Sequence, residues 1–373
     1  MCARSPGLKA RLAAEIEAGG PIPFARFMEQ ALYDPQDGYY SAGPGRVGKR
    51  GDFITSVSMG PVFGEVLAGQ FLELWDALGR PQDFAICEQG GNDGAFASDV
   101  RRALEQTPLA EVRWILIEPL PRLRAAQEER LRGTPTDWVS SPRELPEFCG
   151  IHFSNELFDA LPVHVVRSDG SRWSELRVGR AADQFIWVEA APTPEVAAAI
   201  ADFPQRPAGF TSEVCTRHAE IFQGVGSRLT RGALLAIDYG LTTQALLAGH
   251  RSEGTLRCYA GHRQDGLPLQ EPGQKDITAH VNFSHLVREA RNAGWRPLAL
   301  TDQHHFLVGA AQKLLLALDG HPNPKKLRPL VSLLHPENMG RQFQAVLFAK
   351  GCGEIPLSGF QYARPSDLDG CLA

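Results

Sequence analysis

The chain has 373 residues, 43% of them hydrophobic and 22% charged, a balance that excludes a largely disordered protein. Its 38 Lys and Arg against 43 Asp and Glu leave a formal charge of -5 without long blocks of one sign, so no electrostatic footprint for nucleic acid is visible. No run approaches the roughly 18 apolar residues of a bilayer span, and the N-terminus lacks the apolar core of a secretion signal; no membrane insertion and a cytoplasmic location are expected.

The seven cysteines are scattered and never stand at C-x-x-C spacing, so they are read as reduced thiols, several of them buried. The opening MCARSPGLKARLAAEI is basic like a short transit peptide, but Glu15 and Glu17 follow at once and argue against targeting.

In chain order, PVFGEVLAGQFLELWDALG (61–79) places apolar residues at 62, 63, 66, 67, 71, 74, 75 and 78, the period of a helix with one buried face. DFAICEQ (83–89) reads as a buried strand, and after a Gly-rich turn AFASDVRRALEQ (95–106) resumes helical periodicity, which opens a β-α-β unit. VRWILIE (112–118) is a second strand and PRLRAAQEERLR (121–132) its helix; GIHFSNELFDALP (150–162) and GALLAIDYG (232–240) supply two further strands. HVVRSDGSRWSELRVG (164–179) reads as a hairpin about Asp169 and Gly170, DQFIWVEA (183–190) as a strand and TPEVAAAIADF (193–203) as a helix. These three form an insertion, read as a lid. Residues 241–282 are rich in Gly, Gln and His and read as irregular. WRPLALTDQHHFLVGAA (295–311) and RQFQAVLFAKG (341–351) read as the last two strands, with the helical QKLLLALDG (312–320) between them. His304 and His305 then fall in a strand, without partners at metal-ligand spacing, and no metal is expected. The sum is a parallel α/β sheet of roughly seven strands.

The turn after the first strand, in AICEQGGNDG (85–94), has three readings: a nucleotide cofactor, a phosphate, or a purely structural connection. A dinucleotide fingerprint counted from Gly90 meets Asn92 and Ala95 where glycines belong, and a phosphate loop needs a Gly-Lys-Ser/Thr that is missing. What remains is Glu88, Gly90, Asn92 and Gly94, with a second acid, Glu118, ending the next strand. An acid at that strand end accepts hydrogen bonds from a ribose diol, and an acid before the turn binds the ammonium of an amino-acid tail. S-adenosylmethionine (SAM) carries both groups, and the structural turn is the alternative. Asn92 suits a turn because Asn visits positive φ more readily than most residues.

With these motifs, the sequence resembles the MidA-like SAM-dependent methyltransferases, a family that includes the mitochondrial complex I assembly factor with protein-arginine methyltransferase activity. The resemblance covers most of the chain and rests on PIPFARFMEQALYDPQDGYY (21–40), GDFITS (51–56), the Gly turn, ILIEPLPRLRAAQ (115–127), SNELFDALPVH (154–164), AIDYG (236–240), GTLRCYAGHR (254–263) and DITAHVNF (276–283). It implies a seven-stranded, Rossmann-like class I methyltransferase core, SAM as methyl donor, and a protein arginine as acceptor, on a subunit of the respiratory NADH dehydrogenase in characterised members. Three positions depart from the family pattern: Asn92 stands for Gly, SVSM (56–59) lacks an acid, and Asn282 stands for Asp.

The organisation expected is an N-terminal extension with a cofactor flap (1–60), the first half of the core (61–165), the inserted lid (166–224), the second half of the core with substrate-side loops (225–352) and a C-terminal tail (353–373). The candidate cofactor-binding residues are Gly51, Asp52, Thr55, Ser56, Glu88, Gly90, Asn92, Gly94, Glu118 and Asn155. A guanidinium stays protonated in water, so carboxylates must orient it by bidentate hydrogen bonds. Glu156 and Asp159 after the fourth core strand are the candidates for this, with His280 as a proton acceptor or substrate contact. Two other readings compete: a non-catalytic SAM-binding scaffold that assists assembly of a respiratory complex, and a small-molecule methyltransferase.

Overall fold

The computed structural model describes residues 6–42, 56–260, 263–320, 323–335 and 340–372, which divide into two compact units. One unit holds residues 54–158, 218–240 and 286–373, with strands β1 (Phe84–Gln89), β2 (Arg113–Ile117), β3 (Thr136–Val139), β4 (Phe148–Asn155), β5 (Leu229–Leu241), β6 (Arg296–Asp302) and β7 (Phe343–Lys350); all but β3, a short strand with no expectation from the sequence, fall in apolar runs read as strands. They lie in the order β6-β7-β5-β4-β1-β2-β3 within a mixed sheet, a two-residue eighth strand standing off this path. β1 to β5 are parallel, and β7 runs antiparallel to both β5 and β6. Central parallel strands are covered on both faces, which is why β1 and β4 are buried along almost their whole length.

Helices α1 (Val62–Ala77) and α2 (Ala95–Leu104) follow the predicted periodicity, and α3 (Pro121–Arg130), expected as a helix, buries Gln127. α1 and α2 drive Phe63, Phe71 and Phe96 into a core with Trp114 of β2 and Phe153 of β4. Phe96 stacks on Phe153 with ring centroids 4.5 Å apart, directly behind the helix that the Gly turn opens. The register sets Glu88 of β1 level with Leu116 of β2 and Phe153 of β4, and Asn155 level with Ile237 of β5. The carboxyl ends of four strands therefore form one edge, where open α/β sheets bind ligands.

One predicted strand is corrected. The run 295–311 is a strand and a helix: β6 ends at Asp302, whose side chain accepts a hydrogen bond from the His305 backbone N–H at 2.9 Å and caps helix α4 (Gln303–Ala310). His304 and His305 are thus helical, and Phe306 and Leu307 turn into the core with helical spacing.

The other unit holds residues 1–53, 159–217 and 241–285. Its main sheet is antiparallel: Trp173–Ala181 pairs with Ile22–Pro23, His164–Ser168 and Gln184–Ala190, and His164–Ser168 also pairs with Thr211–Val214. Helix Phe24–Tyr33 buries Phe24, Phe27, Met28, Ala31 and Leu32, a stripe at i, i+3, i+4, i+7, i+8, in a core shared with Val165, Leu176 and Val178. The stretch 241–282, read as irregular, contains a three-stranded sheet of Arg257–Ala260 flanked by Arg263–Asp265 and Asp276–Thr278.

Candidate functional site

Gly90 (φ +80°), Asn92 (φ +45°) and Gly94 (φ +79°) all take left-handed backbone between β1 and α2, the conformation expected of Asn92 from its residue type. Gly91 is equally constrained, because a Cβ there would meet the Glu88 Oε1 at 2.9 Å and the Leu116 Cδ2 at 3.0 Å. Glu88 is only 3% exposed; its Oε2 accepts a hydrogen bond from the Trp114 indole at 3.0 Å. Burial pushes its carboxyl up to about 8, an effect that the indole hydrogen bond opposes and that Asp93 and Glu118 reinforce.

Glu118 follows β2 directly and is 5% exposed. Its Oε1 accepts from the Leu120 backbone N–H at 2.9 Å and its Oε2 from the Gln127 amide at 3.1 Å. Burial lifts it to about 7, and these two hydrogen bonds limit the rise. The same Gln127 Nε2 donates to the Asn92 carbonyl at 2.7 Å, so the fully buried Gln127 joins the Gly turn to the acid of the next strand.

At the end of β4, Glu156 is a non-glycine residue with φ +53°. Its Oε1 accepts from the Asn155 amide at 2.8 Å and from the Ser56 backbone N–H at 3.1 Å. Asp238 of β5, 1% exposed, fixes the backbone that follows: its Oδ2 accepts from the N–H groups of Leu157 at 3.0 Å and Phe158 at 2.7 Å, and its Oδ1 from that of Tyr239 at 2.9 Å. Among the described residues the Asn155 Oδ1 is buried without a hydrogen-bond partner.

Ser56, Glu88, Gly90, Asn92, Gly94, Glu118, Asn155 and Glu156 are thus all in the sheet unit, while Asp159 and His280 belong to the other unit. There the Asp159 carbonyl accepts from the Ala279 N–H at 3.0 Å. The His280 N–H donates to the Thr255 hydroxyl oxygen at 3.1 Å, and Thr255 donates to the buried Glu213 carboxylate at 2.8 Å. Burial, with Arg251 and Arg257 nearby, lowers the His280 imidazole to about 4, which keeps it neutral at pH 7. Asn282 accepts from the His285 N–H at 3.1 Å and the Thr243 hydroxyl at 3.0 Å, the part that an Asp would also play. Gly51, Asp52 and Thr55 lie outside the described residues, as does most of the expected flap.

Three of the residues that shape these sites carry no expectation from the sequence. Gln127 and Asp238 stand inside the blocks ILIEPLPRLRAAQ and AIDYG, so a signal was present there, whereas Glu213 stands outside any motif. Among the described residues no group of three or more His, Cys, Asp and Glu has metal-binding geometry, and no helix is long and apolar enough to cross a membrane.

The donor set of the β1–β2 edge suits SAM. Two buried carboxylates want counter-charge or hydroxyl donors, and the left-handed Gly turn stands between them in the chain. Comparison with known proteins agrees. Residues 66–301 match the family described as S-adenosyl-L-methionine-dependent methyltransferase. The mitochondrial protein arginine methyltransferase NDUFAF7 of Mus musculus is 30% identical over 366 residues, covering 88% of this chain and 81% of its own. That of Danio rerio is 30% identical over 372 residues, covering 89% and 84%. A Burkholderia thailandensis protein crystallised with S-adenosyl-homocysteine superposes with a TM-score of 0.86 at 30% identity, over 96% of both chains. These relatives also correct the expected location: the similar proteins are labelled mitochondrial, which contradicts a cytoplasmic reading drawn from charge and hydropathy, properties that both compartments share. Part of the basic opening segment is folded, since Leu8–Gly19 is a helix that buries Leu8, Leu12 and Ile16. The chain belongs to the S-adenosyl-L-methionine-dependent methyltransferases, and SAM is its methyl donor.

Proposed function

We propose that this methyltransferase acts on an arginine of a protein and that Glu156 holds the acceptor guanidinium. The observation that carries the reading is the left-handed backbone of Glu156 at the carboxyl end of β4, a conformation that costs a non-glycine residue on the order of 1 kcal/mol. Strain of this kind persists where the surrounding structure over-determines it, and here Asp238 and the Ser56 N–H do so. The naming of the curated relatives as protein arginine methyltransferases supports the same acceptor. A subunit of a respiratory NADH dehydrogenase is the first substrate to try.

SAM supplies an electrophilic methyl on a sulfonium, so the chain's own residues need to position reactants and exclude water more than to act as strong bases. With SAM bound, Glu118 would accept from its ribose diol and Glu88 would meet the ammonium of its amino-acid tail. Ser56, Gly90, Asn92, Gly94 and Asn155 are the further cofactor-side residues of this unit. A carboxylate at position 156 forms charge-assisted hydrogen bonds with the guanidinium and draws its positive charge away from the attacking nitrogen.

Transfer from labelled SAM to respiratory subunits, to arginine peptides and to free small guanidines tests the reading. Label should enter protein arginine, and Glu156→Gln should lower transfer about a hundredfold, the scale of one positioned group, with SAM affinity kept. Transfer that Glu156→Gln leaves intact removes Glu156 from the mechanism, and label found only in small molecules removes the protein acceptor.

A further inference from the structure

We propose that Gln127 is a positioning residue for cofactor binding: its side-chain amide fixes the orientation and the charge of Glu118 and ties that acid to the Gly turn. The proposal rests on the reading that Glu118 accepts from the ribose diol.

The amide has one orientation that satisfies its surroundings. Trp138 Nε1 on β3 donates to the Gln127 Oε1 at 3.1 Å, so the Nε2 faces the other way. Its two hydrogens then have one acceptor each, the Asn92 carbonyl at 2.7 Å and the Glu118 Oε2 at 3.1 Å. With Leu120 N–H on the Oε1, each oxygen of Glu118 already receives one donor. A carboxylate has about four lone-pair directions, so one per oxygen is left, which is the demand of two vicinal hydroxyls.

Packing locks this arrangement. Gln127 is fully buried, and a Cβ at Gly94 would lie 3.5 Å from the Gln127 Cα, so α3 seats against the turn at this residue. Glu88 on β1 and Glu118 disfavour a negative charge on each other, and Asp93 in the turn, which also raises Glu88, is paired with Arg130 of α3 at 2.5 Å. Gln127 gives Glu118 a neutral donor, and it limits the rise that burial causes in the Glu118 carboxyl.

The experiment is a calorimetric titration with SAM from pH 5.5 to 9 on wild type, Gln127→Met, Gln127→Glu, Trp138→Phe and Glu118→Gln. The SAM amine and Glu88 are common to all five proteins, so differences among the profiles isolate Glu118. Wild-type affinity should rise with pH as Glu118 ionises. Gln127→Met should weaken binding about tenfold near neutrality and move the midpoint up by about one pH unit, the equivalent of one hydrogen bond to a charged group. Gln127→Glu, which sets a carboxylate against a carboxylate, should move it further. Trp138→Phe frees the amide to flip and should give a smaller shift in the same direction, which keeps the test valid where a Gln127 variant fails to fold. A uniform loss of affinity with an unmoved midpoint in these variants overturns the positioning role. Unchanged affinity in Glu118→Gln overturns the ribose reading instead, whatever the Gln127 variants do.

Discussion

At the β1–β2 end of the sheet edge, left-handed backbone falls on Gly90, Asn92 and Gly94, residues that tolerate it, whereas at the β4–β5 end it falls on Glu156, which does not. The acids differ in the same way. Glu88 and Glu118 are almost wholly buried and are pushed up toward neutrality, with few donors to oppose the effect. Asp238 is as buried but receives three backbone N–H groups, and it serves to hold the strained segment. The comparison separates two ways of building a ligand edge: unstrained backbone with under-compensated carboxylates at one end, and strained backbone held by a fully compensated carboxylate at the other.

The most severe way to break that contrast is to remove the acid that holds the strain. Asp238→Ala leaves the N–H groups of Leu157, Phe158 and Tyr239 without their acceptor and should cost about 2–4 kcal/mol in denaturant unfolding. A loss below about 1 kcal/mol would mean that Glu156 is held in its conformation by something else.

Next in size, Glu118→Ala should weaken SAM binding roughly ten- to a hundredfold, or about 1.5–3 kcal/mol, because two charge-assisted hydrogen bonds are lost. Unchanged affinity in a folded variant would take the ribose away from this acid. The pH dependence of stability sharpens the same end. The folded state holds the protons of Glu88 and Glu118 more tightly than the unfolded state does, so between the ordinary carboxylate range and about 8 the native protein carries more protons. Stability of the cofactor-free protein should therefore fall as pH rises through that window, and Glu88→Gln should flatten the slope. Thermal unfolding from pH 5 to 8.5 reads this; an unchanged slope in the variant would show that burial of Glu88 is relieved in solution.

The smallest effect concerns the turn. Asn92→Ala should destabilise the fold by about 1 kcal/mol and Asn92→Gly should be close to neutral, since only the left-handed conformation is at stake. Equal stability of all three would place the backbone constraint on Gly90 and Gly94 alone.

Much of the edge is legible in the sequence because it is local. A buried strand, a Gly-rich turn and a helix stand within residues 84–104, the second acid follows β2 directly, and the hairpin about Asp169 and Gly170 needs only neighbouring residues. Periodicity and backbone preference act over a few residues, so these elements, and the positive φ of Asn92, follow from residue type. The break at Asp302 was also encoded, in an N-cap acid and helical apolar spacing, but an apolar run alone does not separate a strand from a strand that turns into a helix.

What the tertiary structure decided are the contacts between residues far apart in the chain. Gln127 meets Asn92 across 35 positions, Asp238 meets Leu157 across 81, and Glu156 meets Ser56 across 100. Likewise, helix Phe24–Tyr33 finds its core against strands 164–168 and 173–181, which no composition shift announces. Burial is the physical reason: a carboxylate or amide acquires its partner, its charge and its role only when the sheet order brings distant strands side by side and removes the water that would otherwise have satisfied it.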